Sequence, residues 1–440
     1  MTNVLDVQPF RGIRYTAAAG EPASVIAPPY DVIGEEERRR FLAANPYNIV
    51  AVDIAAGGYD EAASRWSRWL EEGIVARDHR PAFYAYRQIY PAPSGGARTR
   101  WGLTAAVRLA EYGEGVVFPH ERTLPKAKED RLALMRATRA QLRPVFGMHF
   151  GAAAPLDHVL AGACTHEPAA DLTDGDGVRH TLWVLDDPGL LRTVQKALEP
   201  ARVIIADGHH RYETALAFRN EQRAKTQGSW PENAAWNYVM MVLVDMDSEG
   251  LTVFPTHRLL QGVEGLTAER LLERWRPVFD LEPVDAGAAA GPEAVARTLE
   301  GALAAAGDEP AFAVYTADGR AFLVRLSDHR TWAEAAADRP APWRALDVSV
   351  LHGLALPLLG LDDEDQSSGE FLSYTRSAEE AVAAVQTGAR QAAVLVRPTP
   401  GAAVRDVALA GESLPQKSTY YWPKLLTGLV MSDLDSPVGL

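Results

Sequence analysis

Five segments between residues 179 and 246 constrain the fold more than anything else in the chain: "RHTLWVLDD", "PGLLRTVQKALE", "ARVIIA", "HRYETALAFRNEQRA" and "WNYVMMVLVDM". The first, third and fifth are short runs rich in β-branched and aromatic residues, which suit a pleated, buried strand. The second opens on Pro188, whose fixed φ favours a first helical turn, and the fourth repeats apolar residues at helical spacing. Neither a strand nor an amphipathic helix buries its apolar side alone, so this strand–helix–strand–helix–strand order implies an α/β layer.

The flanking sequence adds hairpins and helices, making the expected fold class mixed α+β. "PAFYAYRQIYP" and "RTRWGLTAAVRL" read as paired strands around the turn-rich "APSGGA". Residues 34–44 and 59–74 read as amphipathic helices, with Trp66, Trp69 and Leu70 on one face of the second. "KEDRLALMRATRAQL" reads as a helix and "RPVFGMHF" as a strand, followed by a polar loop over 165–179 with two Asp-Gly turns. Further on, 284–307 holds a peripheral helix and "AFAVYTADGRAFLVRL" a hairpin turning at Asp318-Gly319. "RALDVSVLHGLALPLLG" reads as a buried helix and "EDQSSGE" as a loop, and the chain ends helix, strand, helix. No internal repeat is visible. The expected division is 1–160, 161–340 and 341–440.

Composition excludes several classes of function. No apolar run among the 440 residues reaches the ~20 of a membrane span, and "MTNVLDVQPFRGIRY" lacks the basic and apolar regions of a secretory signal. A lone cysteine, Cys164, forms no internal disulfide, so a cytoplasmic location is expected. The formal net charge of -14 opposes nonspecific nucleic-acid binding but permits a local cationic site for a small anion.

Such a site is suggested by "IIADGHHRYETALA". Asp207-Gly208 is a tight turn between strand and helix, and a helix N-terminus offers unpaired N–H groups and a positive dipole end. His209, His210 and Arg211 add donors. Asp207 can cap the helix, hold a histidine tautomer or reach a magnesium ion. Zinc is disfavoured, because adjacent histidines rarely converge on one metal. A second cluster, His120, Glu121, Arg122, Thr123 and Lys126, precedes the helix of 128–142. A third is His257-Arg258 in "FPTHRLL". A fourth, "GESLPQKSTYYWPKL", nearly fits a phosphate loop, but Gln416 replaces its second glycine and Pro415 removes an N–H. Lys417, Ser418, Thr419 and Lys424 can still meet phosphate in another geometry. In "APPYDVIGEEERRRFLAANPYNIV", Asp31 is the carboxylate least easily read as surface.

"PPYDVI", "HERT", "ADGHHRYETAL", "PTHRLL" and "PQKSTYYWPKLLTGLV", in this order, resemble the bacterial and archaeal family known as domain of unknown function 1015. The resemblance runs from "PFRGIRY" to "GLV". The DGHHR turn is also similar to the histidine-arginine turn of the ParB/sulfiredoxin-like superfamily, which includes ParB proteins, sulfiredoxins and kinases of free L-serine. That resemblance implies a nucleotide-binding core embedded in a larger multi-layer chain. It places nucleotide phosphates at Asp207, Gly208, His209, His210 and Arg211.

The function expected on these grounds is an ATP- or ADP-dependent kinase for a small hydroxyl-bearing metabolite, with free serine the best single acceptor. His209, His210 and Arg211 hold phosphate in this reading, and Arg122, Lys126 and Lys417 add positive charge. Mg²⁺ bridges phosphate oxygens, with Asp207 its expected ligand. Asp31 or Glu121 takes the hydroxyl proton, with His210 a further catalytic candidate. The expected partners are therefore a nucleotide and a metabolite, with no nucleic acid and no membrane; homo-oligomerisation stays open. The alternatives are a ParB-like nucleotide-binding regulator and a phosphatase or other hydrolase.

Overall fold

Aromatic and small residues alternate through Phe83–Pro91 and Ala97–Arg108, and these segments pair antiparallel from Tyr84 with Thr104 to Pro91 with Ala97. This hairpin is the middle of a nine-stranded sheet. In chain order its strands are β1 (Val7–Gln8), β2 (Phe83–Pro91), β3 (Ala97–Arg108), β4 (Val117–Phe118), β5 (Val145–Phe150), β6 (Ala170–Thr173), β7 (Arg179–Leu185), β8 (Arg202–Asp207) and β9 (Tyr238–Asp245). The sheet order is β4-β8-β5-β9-β3-β2-β7-β6, with β1 paired to β3. The protein is a computed structural model that describes residues 4–92, 95–121, 125–226, 228–287 and 290–439; the side chains of 125–127 lie outside the description.

The fold is mixed α/β, as expected. The strands of the 179–246 run are not neighbours, however. β5 inserts between β8 and β9, antiparallel to β8 and parallel to β9. Strands β2, β3, β7 and β9 run antiparallel in series, so hairpins govern much of the sheet. β9 is buried from Tyr238 to Val244, which explains its continuous apolar sequence. The "loop" of 165–179 supplies β6, which pairs with β7 through Asp171 and Thr181; the Arg179–Asp171 ion pair at 2.6 Å crosses the two strands. "EDQSSGE" overlaps a short helix, Asp363–Ser368, started by Asp362, which accepts from the amides of Glu364 and Asp365 in a capping box.

The chain divides into two units: residues 1–119, 123–252 and 423–440 in one, 120–122 and 253–422 in the other. The expected boundary near 160 instead falls inside the helix Leu156–Ala163, whose Leu156 and Leu160 belong to the main core of the first unit. That core joins Val203 and Ile205 of β8, Met241 and Leu243 of β9, and Tyr212, Ala215 and Leu216 of the helix that follows β8. A second core holds Trp66 and Trp69 of Gly58–Glu71, with Leu134 of Pro125–Thr138. Cys164, at the end of Leu156–Ala163, has its thiol pushed up to about 11 by burial, which agrees with a structural role.

In the second unit, a six-stranded sheet has the order β11-β13-β12-β15-β10-β14. These strands are β10 (His257–Leu260), β11 (Phe279–Pro283), β12 (Ala311–Thr316), β13 (Ala321–Leu326), β14 (Leu372–Thr375) and β15 (Ala392–Leu395). The hairpin β12–β13 turns at Asp318-Gly319 as expected, with Gly319 at φ 81°. Helices Pro292–Ala304 and Ala378–Gln386 cover its core through Val295, Leu299, Val382 and Val385. The buried helix expected in "RALDVSVLHGLALPLLG" is present, but its middle, Leu351–Ala355, is wound as a π-helix. No helix among the described residues is long and apolar enough to cross a membrane.

Candidate functional site

The turn at 207–211 is built by a register shift and a glycine. Ile205 pairs with Gly147 and Asp207 with Phe146, so β8 spends an extra residue just before the turn. Such a bulge re-aims the end of a strand. Gly208 then takes φ 93°, ψ 32°, and helix α1 (His209–Lys225) begins with no side chain capping it. A Cβ on Gly208 would sit 2.5 Å from Arg211 Nη2. Gly208→Ala therefore combines a left-handed cost of about 1–2 kcal/mol with displacement of Arg211. Thermal melting and phosphate titration should both register it; unchanged values would show that the turn tolerates a side chain.

Asp207 is the hub of this turn. Its Oδ1 accepts from Lys424 Nζ at 2.9 Å, and its Oδ2 from Arg211 Nη2 at 2.6 Å and Arg143 Nη2 at 3.2 Å. Burial pushes its carboxyl up, but Lys424, Arg143 and Arg211 together outweigh that and hold it far below the carboxylate range. Burial, with Arg143 close by, lowers the Arg211 guanidinium to about 10. Arg211 also donates to the carbonyl of Pro144. The Mg²⁺ ligand role expected of Asp207 does not fit this geometry: both oxygens already face cations, which repel a divalent ion. Among the described residues no group of three His, Cys, Asp or Glu side chains is placed to hold a metal.

The network extends through Arg143, whose Nη1 donates to Asp31 Oδ1 at 3.3 Å. Arg143 is 4% exposed and Asp31 57%, so the pair runs from interior to solvent. Arg131 meets Asp53 at 3.1 Å and Asp130 at 2.5 Å, with its guanidinium 4.2 Å from the ring centre of Tyr30. Burial raises the Asp53 carboxyl, against the pull of Arg131, Arg143 and Arg211. Tyr30, Asp53, Arg131, Arg143, Arg211 and Thr214 are among the residues around a cavity of about 50 Å³, large enough for water. His209 is buried and His210 half-buried in the first turn of α1. Sequence reasoning missed Arg143 and Asp53. The available signal for Arg143 was an arginine directly before Pro144 and the apolar strand β5.

Of the other expected residues, His120, Glu121, His257, Arg258, Lys417, Ser418 and Thr419 fall in the second unit. His120 Nε2 lies 2.8 Å from Thr419 Oγ1 and 3.9 Å from Glu121 Oε1, with its ring edge-on to Tyr421. His120 and Glu121 are tied to the 411–425 segment by the amide of Leu414, which donates to His120 O at 2.8 Å. Thus the His120–Glu121 pair and Thr419 do meet. Arg258 is wholly buried: it donates to His352 Nε2 at 3.0 Å, to the carbonyls of Gln416 and Lys417, and to Thr256 O. His257 is buried on β10, accepts from the Val396 amide through Nδ1, and is lowered to about 4 by burial and Arg258. Ser418 is buried and its hydroxyl donates to Pro415 O at 2.6 Å, while Lys417 takes φ 59°. His257, Arg258 and Ser418 thus serve the fold of this unit. Arg122, Thr123 and the Lys126 side chain lie outside the described residues.

Solved structures with a similar chain path share little sequence. A conserved hypothetical protein from Pyrococcus furiosus is 15% identical, over 72% of this chain and 92% of its own, with a TM-score of 0.35. A free serine kinase variant in complex with AMP is 13% identical, over 69% and 83%, with a TM-score of 0.36. SbnI with a C-terminal truncation, from Staphylococcus aureus, is 12% identical, over 76% and 86%, with a TM-score of 0.33. A search of curated proteins finds no match. At the level of sequence families, the profile described as "Protein of unknown function (DUF1015)" matches residues 7–349, which include the PPYDVI, HERT, DGHHR and PTHRLL motifs, and the chain belongs to that family.

Proposed function

We propose that this protein is a nucleotide-dependent kinase that phosphorylates the hydroxyl of a small metabolite, with free L-serine the first acceptor to test. The observation that carries the reading is the cation cluster gathered on one buried carboxylate at a strand–turn–helix junction: Lys424, Arg143 and Arg211 around Asp207. Phosphoryl transfer needs positioning and charge neutralisation more than covalent chemistry. In this reading the amides of the first turn of α1, with Arg211, Arg143 and Lys424, hold the phosphates, and Asp207 holds the cations in place. His209 and His210 flank them. Any Mg²⁺ accompanies the nucleotide and is not held by Asp207. The acceptor oxygen bonds to the terminal phosphorus as the bond to the leaving nucleotide oxygen breaks, and Asp31 takes the hydroxyl proton. Asp31 is preferred to Glu121 as base because Arg143 joins it to Asp207 within one unit. Free serine as acceptor rests on the resemblance of the 207–211 turn alone.

The test is incubation with ATP or ADP, Mg²⁺ and a pool of hydroxylated metabolites, with products read by mass spectrometry. Phosphoserine is the expected product. Nucleotide hydrolysis that ignores the acceptor pool would instead select a hydrolase or a ParB-like regulator. A companion measurement is nucleotide affinity of the double variant His210→Ala, Arg211→Ala, expected to fall at least tenfold; unchanged affinity would defeat the assignment of the turn.

A further inference from the structure

Strands β2 and β3 send alternate residues, Phe83 and Ala85, Leu103 and Ala105, into the main core of the first unit. The opposite face of the same strands is also shut off from water, yet it carries polar side chains. Gln88, Arg100 and His180 of β7 are none of them more than 2% exposed. The three are cross-strand neighbours, with His180 opposite Gln88 and Gln88 opposite Arg100. A buried polar group is costly unless it is bonded, so the partners of this face explain its composition.

Those partners are main-chain carbonyls of the segment 423–427, which belongs to the same unit. Gln88 Nε2 donates to Lys424 O at 3.0 Å. Its Oε1 accepts from Arg100 Nε at 3.0 Å and from Arg100 Nη2, which also donates to Pro423 O. The Arg100 guanidinium lies 4.8 Å from the ring centre of Phe146, the residue paired with Asp207. Beside Gln88, the Tyr86 hydroxyl meets His180 Nδ1 at 2.5 Å, and His180 Nε2 meets Asp174 Oδ2 at 2.9 Å.

The far end of the segment is pinned as well. Thr427 N donates to Ala27 O at 2.8 Å, and Ala27 N donates to Thr427 O at 3.2 Å. Leu425 and Leu426 are buried between these anchors. Lys424 is the one charged residue from 423 to 427, and its Nζ reaches Asp207 Oδ1 at 2.9 Å. A lysine ends a flexible four-carbon stem, so its ammonium keeps one place only where the main chain beneath it is held.

We propose that Gln88 and Arg100 are positioning residues for the anion seat: by holding the main chain at Pro423 and Lys424 they keep the Lys424 ammonium beside Asp207, with Arg143 and Arg211. They act through Lys424. The inference rests on the kinase reading, which places phosphate at these three cations.

The test uses the full chain and inorganic pyrophosphate in calorimetry. Lys424→Met removes one charge-assisted bond and should weaken binding about tenfold. Gln88→Glu keeps an acceptor for Arg100 but has no donor for Lys424 O. It should weaken pyrophosphate roughly threefold to tenfold, and in the Lys424→Met background less than about twofold, because the group it positions is gone. Gln88→Leu, which adds no charge, repeats the cycle and should give the same pattern. Equal weakening in both backgrounds, or wild-type affinity in both Gln88 variants, would overturn the inference and leave the seat standing. A wild type that binds no pyrophosphate, or a Lys424→Met variant that binds it as tightly as the wild type, would overturn the seat and the inference with it.

Discussion

Asp207→Ala is expected to destabilise the protein by about 3–5 kcal/mol, the range for removing one partner from a buried charge network. The reason is electrostatic. Without the carboxylate, Arg143, Arg211 and Lys424 face one another with the common partner gone. The same argument predicts a rescue: added inorganic phosphate should raise the melting temperature of Asp207→Ala more than that of the wild type, because an anion then occupies the place of the lost charge. Equal shifts would mean that the three cations do not form an anion seat. The wild-type contribution of Asp207 should be constant between pH 5 and 7. Its folded carboxyl is depressed, so its stabilisation is complete above the unfolded value of about 3.9 and fades only as the pH falls below that.

Acidification from pH 7 to pH 5 should cost about 4 kcal/mol through His257 and His352 alone, by a different route. Burial, with Arg258 beside them, holds His257 at about 4 and His352 at about 3. An unfolded histidine titrates near 6.5, so the unfolded chain takes up protons between 6.5 and those values while the folded chain does not. Stability is therefore complete above about pH 6.5 and falls as the pH drops toward 4, by about 2 kcal/mol per histidine at pH 5. Urea unfolding across this range measures it. His352→Gln keeps a donor toward Gln366 and an acceptor toward Arg258, and it should remove the share of His352, about 2 kcal/mol at pH 5. A variant with the full wild-type slope would show that His352 is not held neutral.

Much of the fold was legible because local periodicity and turn chemistry decide it. The β2–β3 hairpin, the Asp318-Gly319 turn and the helix after Gly208 all follow from short-range pattern. The misreadings were equally local. Asp171 and Thr173 resembled loop residues because β6 is an edge strand whose polar face meets solvent. "EDQSSGE" resembled a loop because Asp362, just outside it, supplies the cap. At the candidate site, the turn was legible but its charge network was not. Arg143 and Lys424 lie 64 and 217 residues from Asp207, and no periodicity relates such positions. Arg258 shows the reverse error: its neighbour His257 made it resemble an anion ligand, whereas complete burial makes it a strut.

By itself the sequence determined the element types, the strand–turn–helix at 202–225 and the membership of an ordered-motif family, since each depends on residues close in the chain. Only the tertiary structure decided that β5 separates β8 from β9, that Asp207 gathers Lys424, Arg143 and Arg211, and that Arg258 is wholly buried against His352. Those outcomes depend on burial and on long-range charge pairing, which strengthen where water is excluded and leave no mark on local composition.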